Sequence, residues 1–115
     1  MSARVLFRVK ILKTSISFYT QLGFTILWQG EQLCLLALGQ TKFFLQNFYV
    51  KALAENYMLH LHVENVDDWY QHIQDLHLDE VFAINVTLPE DRQWNMRDFV
   101  LLDPSGVLWR IGHNI

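Results

Sequence analysis

The chain has 115 residues, of which 51% are hydrophobic and 18% charged, and it carries a formal net charge of −3 at neutral pH. This length suits one domain with a single core, and the acidic balance excludes the clustered basic surface that nucleic-acid binding requires. No apolar run is long enough to span a membrane, and the first residues lack the basic and long apolar regions that are typical of a signal peptide. The lone cysteine, Cys34, is typical of a reducing compartment. We therefore expect a cytoplasmic protein that binds neither nucleic acid nor membrane.

The first half of the chain predicts a strand, a helix and three further strands. The helix begins with an N-cap at Thr14 or Ser15 and ends before Gly23, a residue type that commonly terminates helices. Gly30 and Gly39 each begin a two-residue turn, as in type II′ hairpins. The predicted strands span residues 5–11, 24–29, 32–38 and 41–48.

The second half repeats this order of elements. The pattern predicts a strand over residues 57–64, a helix capped by Asp67 and a strand over residues 81–88. A polar loop over residues 89–93 then leads to a hairpin over residues 96–111, whose two strands are joined by the turn sequence D-P-S-G.

The repetition indicates an internal duplication. A constant shift along the chain lays Val9 on Val63 and each later apolar position of the first helix on one of the second. We therefore predict a single α+β domain over residues 1–115, built from paired βαβββ modules that curve around a concave cavity. The modules are expected to cover residues 1–50 and 57–115.

Three motifs of the chain resemble one protein superfamily. They are V-K-I-L-K-T-S-I-S-F-Y-T-Q-L-G-F, L-H-V-E-N-V-D-D-W-Y and P-E-D-R-Q-W-N-M-R-D-F-V-L-L-D-P-S-G-V-L-W-R-I. Their order resembles the vicinal oxygen chelate superfamily of glyoxalases, bleomycin-resistance proteins and extradiol dioxygenases, most closely its bleomycin-resistance-like branch. The resemblance covers nearly the whole chain. It implies the paired-module fold and, together with the exposed strand edges of such sheets, a homodimer.

The resemblance also implies four metal-ligand positions on the concave faces. They fall on Arg4, on Phe44 (or on Gln46 after a register slip), on Met58 and on Arg110. Arginine cannot bind a cation, and a phenyl ring and a thioether are poor ligands for the metals involved. We therefore expect no metal cofactor. Because the sequence also lacks a nucleophile elbow, a phosphate loop and a carboxylate pair, we predict no catalytic residue.

An alternative interpretation keeps the metal. His60 and His62 lie two residues apart on one strand face and could chelate zinc or iron, with Gln46 as a third ligand. The chain would then be a metal-dependent lyase, isomerase or dioxygenase. In the other interpretation, the two histidines line the cavity wall without a metal.

The interpretation that we favour is a metal-free protein that binds and sequesters a small organic molecule, for example an antibiotic. Trp94 matches the W-G-x-R motif of bleomycin-resistance-like proteins, in which the ring stacks on the ligand, although Asn95 replaces the glycine. Trp109 is expected to pack under a helix, since it alternates with Arg110. The candidate ligand-binding residues are Phe44, Gln46, Met58, His60, His62, Trp94, Arg97 and Arg110, and Trp28, Phe48 and Tyr49 could add to the wall.

Arg110 is unusual because arginine is rarely placed inside an apolar strand without a partner. Its partner could be an internal carboxylate, Asp98 or Glu64, or an anionic group of the ligand. The sequence leaves these alternatives open.

Overall fold

The computed structural model of the chain describes residues 5–8, 12–47 and 58–115. Within these residues, the chain forms eight strands and three helices. They are β1 (Val5–Arg8), α1 (Leu12–Leu22), β2 (Thr25–Gln29), β3 (Leu33–Leu38), β4 (Thr41–Gln46), β5 (Met58–His62), α2 (Val66–Asp75), α3 (Leu78–Val81), β6 (Glu90–Asp91), β7 (Met96–Leu102) and β8 (Leu108–Asn114). The predictions that concern Arg4, Phe48 and Tyr49 lie outside the described residues.

The strands form two four-stranded sheets with the same topology. Their strand orders are β1-β4-β3-β2 and β5-β8-β7-β6. β1 is parallel to β4 and β5 is parallel to β8, whereas the other neighbouring strands are antiparallel. This arrangement confirms the predicted α+β fold of paired βαβββ modules. None of the helices in the described ranges has the length and apolar character needed to cross a membrane.

Helix α1 begins earlier than predicted. It starts at Leu12, so Thr14 and Ser15 lie inside the helix and the predicted N-cap is wrong. Leu12 is buried in the same core as later residues of the helix, and this apolar stripe extends the helix toward its N-terminus. The predicted C-terminus is confirmed, because Gly23 has a φ of 130° and donates its N–H to the carbonyl of Tyr19 at 3.1 Å.

The two glycine turns of the first sheet differ from each other. Gly39 has a φ of 56° while Gln40 keeps an ordinary backbone, as the predicted type II′ turn requires. The turn predicted at Gly30 is wrong: three residues connect β2 to β3, and the Gly30 N–H donates to the Leu33 carbonyl at 2.8 Å. Glycine serves another purpose there, since a Cβ would lie 2.7 Å from the ring of Trp28.

Helix α2 is capped by Asn65, and the predicted cap at Asp67 is wrong. The Asn65 side chain accepts hydrogen bonds from the backbone N–H groups of Asp67 and Asp68, at 3.0 and 3.2 Å. Asp67 and Asp68 lie in the first turn, where their charges favour the positive end of the helix dipole. Asn65, Asp67 and Asp68 can all cap a helix, and the extended backbone of Asn65 makes it the cap.

The strand predicted over residues 81–88 is wrong. The short helix α3 extends to Val81, and Val86 forms only an isolated antiparallel bridge with Leu101 of β7. The fourth strand of the sheet is β6, inside the predicted loop. Leu78 and Phe82 are four residues apart and both pack into the core, which favours a helical turn over an extended strand. Left-handed backbone at His77 and Ala83, each with a φ of 52°, bounds this turn.

The two modules share one core. The rings of Tyr19 in α1, Phe43 in β4 and Trp109 in β8 pack together, with centroids 4.9 to 6.1 Å apart. The Tyr19 hydroxyl donates to Asp103 Oδ2 at 2.7 Å and accepts from Trp109 Nε1 at 2.9 Å. The prediction that Trp109 packs under a helix is thus confirmed.

Asp103 also organises the D-P-S-G turn. Its Oδ1 atom accepts the backbone N–H groups of Ser105 and Val107, at 2.9 and 2.8 Å, and Gly106 leaves the turn with a φ of 94°. Burial raises the pKa of the Asp103 carboxyl, although hydrogen bonds from Tyr19 and the turn amides oppose part of this rise. One side chain therefore fixes both the hairpin and the contact between the modules.

Candidate ligand-binding site

Strand alternation in the first sheet places two candidate residues outside the core. Phe43 and Leu45 of β4 are buried among the helices, so Phe44 and Gln46 lie on the opposite face, where both are half-buried. Phe44 pairs with Leu35 of β3, which in turn pairs with Trp28, the exposed tryptophan of β2. We call this outward surface the first face, and it is mainly apolar.

The second sheet presents an equivalent surface. Trp109 and Ile111 of β8 are buried in the core, and Arg110 between them points to the opposite side. On β5 the three remaining candidates, Met58, His60 and His62, are all exposed and share this side of the sheet. We call this surface the second face.

The two faces point away from the shared core. The core sides of both sheets meet each other through Phe43 and Trp109, whose ring centroids are 5.8 Å apart. Phe44 and Arg110 directly follow these two residues and so face the other way. The first and second faces of one chain therefore cannot enclose a ligand between them, and a cavity formed by both faces requires two chains.

A buried carboxylate binds two arginines on the second face. Asp98 of β7 is fully buried, and its Oδ1 atom accepts from Arg110 Nη1 at 2.9 Å and from Arg92 Nε at 2.8 Å. Asp98 Oδ2 accepts no hydrogen bond from the described residues. Arg92 also donates to Glu90 Oε2 at 3.1 Å. Of the alternatives for Arg110, the internal partner is therefore Asp98.

A glycine on the neighbouring strand makes room for the buried Asp98. Gly112 of β8 lies directly across from Asp98. A Cβ at Gly112 would lie 2.8 Å from Asp98 Cβ and 3.0 Å from the Arg97 carbonyl oxygen, closer than side chains tolerate. The close approach of β7 and β8 at this point thus depends on the absence of a side chain at position 112.

Trp94 lies in the turn between β6 and β7. It is 58% exposed, and the Arg110 guanidinium carbon is 6.0 Å from the centroid of its ring, at the distance of a cation–π contact. Asn95 has a φ of 62° and donates its N–H to the Arg92 carbonyl at 3.2 Å. Asparagine adopts this left-handed conformation more readily than most residues, so it can replace the glycine of the motif.

Arg97 is separated from the other candidates. It lies on the helix side of β7, where its guanidinium donates to the Asp67 carboxylate at 2.9 to 3.1 Å and to Asp91 Oδ1 at 3.1 Å. The hydrogen bonds from Arg97 are the main reason that the pKa of Asp67 falls below its ordinary value. Arg97 thus holds α2 and β6 to β7, and we do not include it in the candidate site.

The residues on the second face do not fit a metal site of the implied kind. His60 pairs with Arg110, and His62 pairs with Gly112, across the parallel strands β5 and β8. Met58 supplies no suitable donor there, and neither does Phe44 on the first face. Among the residues that the structure describes, no group of three histidine, cysteine or acidic side chains is close enough to hold an ion.

Cavities lined by described residues lie mainly elsewhere. Three of them have volumes of about 560, 680 and 270 Å³. Of the candidate residues, only His62 lines one of them, at the junction between β3, β4, β5 and α2. Phe44, Trp94 and Arg110 instead lie on the two open faces.

Sequence reasoning missed Arg92 and assigned Gly112 no function. A signal for Arg92 was available. A hairpin with its turn at residues 92–95 brings Arg92 close to the residues that follow the turn, which include Asp98. The error lay in treating residues 89–93 as a polar loop, which left Arg92 without a strand register relative to Asp98.

The fold is similar to several solved structures. A bleomycin-binding protein complexed with bleomycin matches with a TM-score of 0.83 and 20% sequence identity, over 100% of this chain and 99% of that one. A bleomycin resistance determinant encoded on the transposon Tn5 gives 0.80 and 20%, over 99% and 98%. Lactoylglutathione lyase from Agrobacterium tumefaciens gives 0.75 and 14%, over 98% and 92%.

No curated protein shows significant sequence similarity to the chain. A family model, in contrast, matches residues 2–111, which is nearly the whole sequence. With the strand order of both sheets, this match establishes the relationship that the three motifs suggested. The chain belongs to the Glyoxalase/Bleomycin resistance protein/Dioxygenase superfamily.

Proposed function

We propose that the protein binds and sequesters a small organic molecule with a flat ring system, without the help of a metal. The observation that carries this proposal is Trp94, an indole that is 58% exposed on a face outside the core and lies over Arg110. Exposed aromatic rings of this kind contribute strongly to ligand binding because they offer a large apolar area with little loss of conformational entropy. Two similar structures are proteins named for bleomycin, which makes an antibiotic a reasonable ligand to test first.

The charge on the second face is compatible with several ligands. An unpaired Arg110 would disfavour a cationic drug, but Asp98 Oδ1 accepts its Nη1 hydrogen at 2.9 Å. The overall charge of −3 attracts cations at long range. Bleomycin and neutral flat molecules therefore both belong in a first screen.

The ligand is held between two copies of the chain in this proposal. The first face offers apolar residues such as Phe44 and Leu35, and the second face offers Trp94, Arg110 and the histidines of β5. Since the two faces of one chain point apart, a homodimer that brings the first face of one copy onto the second face of the other would complete a pocket. Sedimentation at micromolar concentration should give twice the monomer mass of 13.6 kDa. A mass of one chain would contradict the shared pocket.

The function as a sequestering protein can be tested with bleomycin and with 2-naphthamide, a neutral flat probe. We expect at least one of them to bind in calorimetric titration, and Trp94→Ala to weaken binding roughly tenfold or more. Val81→Ala, which removes an exposed apolar side chain from α3, is the matched control and should bind normally. Failure of both probes to bind, or equal binding by the Trp94→Ala variant, would contradict the proposal.

The alternative of a metalloenzyme rests on His60 and His62, which share one exposed face of β5. Gln46, the suggested third ligand, lies on the first face, which points away from these histidines. The described histidine, cysteine and acidic side chains form no group of three that could supply another ligand. Metal analysis of untagged protein distinguishes the two functions. Stoichiometric zinc, iron, nickel or manganese that is lost in both His60→Ala and His62→Ala would favour the enzyme and overturn the metal-free proposal.

A further inference from the structure

The two arginines on the second face form a pair that is held together by one buried carboxylate. Arg92 Nε and Arg110 Nη1 lie 2.8 and 2.9 Å from the same atom, Asp98 Oδ1. Two guanidinium groups that contact the same atom repel each other unless a negative charge lies between them. The fully buried Asp98 supplies that charge and fixes both groups in place.

Neither arginine is saturated by this contact. A guanidinium has five N–H donors, and Arg110 uses one of them within the described part of the chain, toward Asp98. Arg92 uses one toward Asp98 and one toward Glu90. Because both arginines share a single oxygen, neither forms the bidentate pair that guanidinium and carboxylate prefer. Both keep a part of their side chain accessible, at 23% and 25% exposure.

The local charge favours an anion. Two arginines around one carboxylate leave one positive charge in excess. The only other partner among the described residues is Glu90, whose side chain is 63% exposed and whose pair with Arg92 is therefore weak. One of the two arginine charges is thus balanced only by an exposed glutamate, with which an anionic ligand can compete.

We infer that Arg92 and Arg110 together bind an acidic group of the ligand, and that the ligand of this site is a planar aromatic acid whose ring stacks on Trp94. This inference rests on the proposed function and adds to it the chemical class of the ligand and a second anion-binding residue, Arg92. Arg110 connects the two parts of this site, since it contacts both the Trp94 ring and Asp98, which also binds Arg92. One ligand can therefore meet the indole with its ring and the two guanidinium groups with its carboxylate.

The test compares 2-naphthoate with 2-naphthamide, which has the same ring and no charge. We expect the full-length protein to bind naphthoate at least tenfold more tightly in calorimetric titration, and added salt to reduce this preference. Arg92→Gln should remove most of the preference, roughly tenfold for a lost charged hydrogen bond, and leave the affinity for naphthamide unchanged. Arg97→Gln is the matched control, since that arginine lies on the other side of β7, and it should retain the preference.

The outcomes separate the inference from the proposed function. Equal affinity for the two probes, or a preference that persists in Arg92→Gln, overturns the inference while the sequestering function stands. Binding of bleomycin but of neither naphthalene probe overturns the inference alone, and absence of binding by all three compounds overturns both. Because Arg92→Gln can also destabilise the fold by leaving the buried Asp98 less compensated, the salt dependence of the wild-type protein provides a second measurement. A preference for naphthoate that does not change with salt would also overturn the inference.

Discussion

The Tyr19 hydroxyl and the Asp103 carboxylate form a buried hydrogen bond of 2.7 Å between residues that are 84 positions apart in the chain. Trp109 Nε1 donates to the same hydroxyl at 2.9 Å. This relay joins the helix of the first module to the closing hairpin of the second. The two modules are therefore connected by polar contacts as well as by apolar packing.

Replacing Tyr19 by Phe should lower the free energy of unfolding by about 1–3 kcal/mol, because Asp103 Oδ2 loses its hydroxyl donor in a buried position. Urea unfolding at neutral pH measures this change. Tyr70→Phe is the control, since the half-buried Tyr70 packs on Phe99 and its hydroxyl forms no hydrogen bond with the described residues. Equal effects of the two substitutions would contradict a specific contribution of the relay.

The stabilising effect of Asp103 should depend on pH. Burial raises the pKa of this carboxyl above its ordinary value of 3.8, so the folded state holds the proton more tightly than the unfolded state. Its contribution to stability is thus greatest below the ordinary pKa and falls as the pH rises through the raised value. The stability advantage of the wild type over Asp103→Asn should decrease between pH 4 and pH 7 in urea unfolding. An advantage that grows with pH would show that hydrogen bonding, and not burial, dominates.

Asn95 should tolerate glycine and resist alanine. Its φ of 62° is left-handed, and most residues with a Cβ lose about 1–2 kcal/mol there. We expect Asn95→Ala to lower the free energy of unfolding by about 1 kcal/mol and Asn95→Gly to leave it nearly unchanged. Gln93→Ala, in the same turn with ordinary backbone, is the control. Similar losses for alanine and glycine would indicate that the Asn95 side chain, and not its backbone, stabilises the turn.

Gly112→Ala should destabilise the second sheet by about 1–3 kcal/mol, as expected for an overpacked position. The added Cβ would lie 2.8 Å from Asp98 Cβ and 3.0 Å from a backbone oxygen, and the backbone cannot move away at low cost. We also expect weaker naphthoate binding, because Asp98 holds both arginines. Asn114→Ala, at the exposed end of the same strand, is the control for both measurements. Normal stability of Gly112→Ala would show that β7 and β8 can separate.

Much of the fold could be predicted from the sequence because its signals are local. Gly23 marks the end of α1 through its backbone freedom, and the alternation of Trp109 and Arg110 assigns one to the core and the other to the surface. The predictions that failed concern stretches where two patterns compete. Leu78 and Phe82 fit a helical turn as well as a strand, and only their packing against α1 decides.

The candidate site was predicted less completely, because its geometry arises from contacts across strands. Trp94 and Arg110 were identified from a motif and from an unusual charge in a strand. Arg97 was placed among them by its position in the same motif, but the register of β7 turns it toward Asp67. The convergence of Arg92 and Arg110 on Asp98 depends on the pairing of β6 with β7, which was missed because residues 89–93 were read as a loop and not as one arm of a hairpin.

The outward direction of both faces also affects how such a protein can evolve. Phe43 and Trp109 hold the core, while their immediate neighbours Phe44 and Arg110 point away from it. A substitution at Phe44 changes the surface offered to a ligand without opening a hole among the buried side chains, whereas one at Arg110 also removes a partner of the buried Asp98. New ligand preferences can therefore accumulate by single substitutions on the first face while the stability of the domain is maintained.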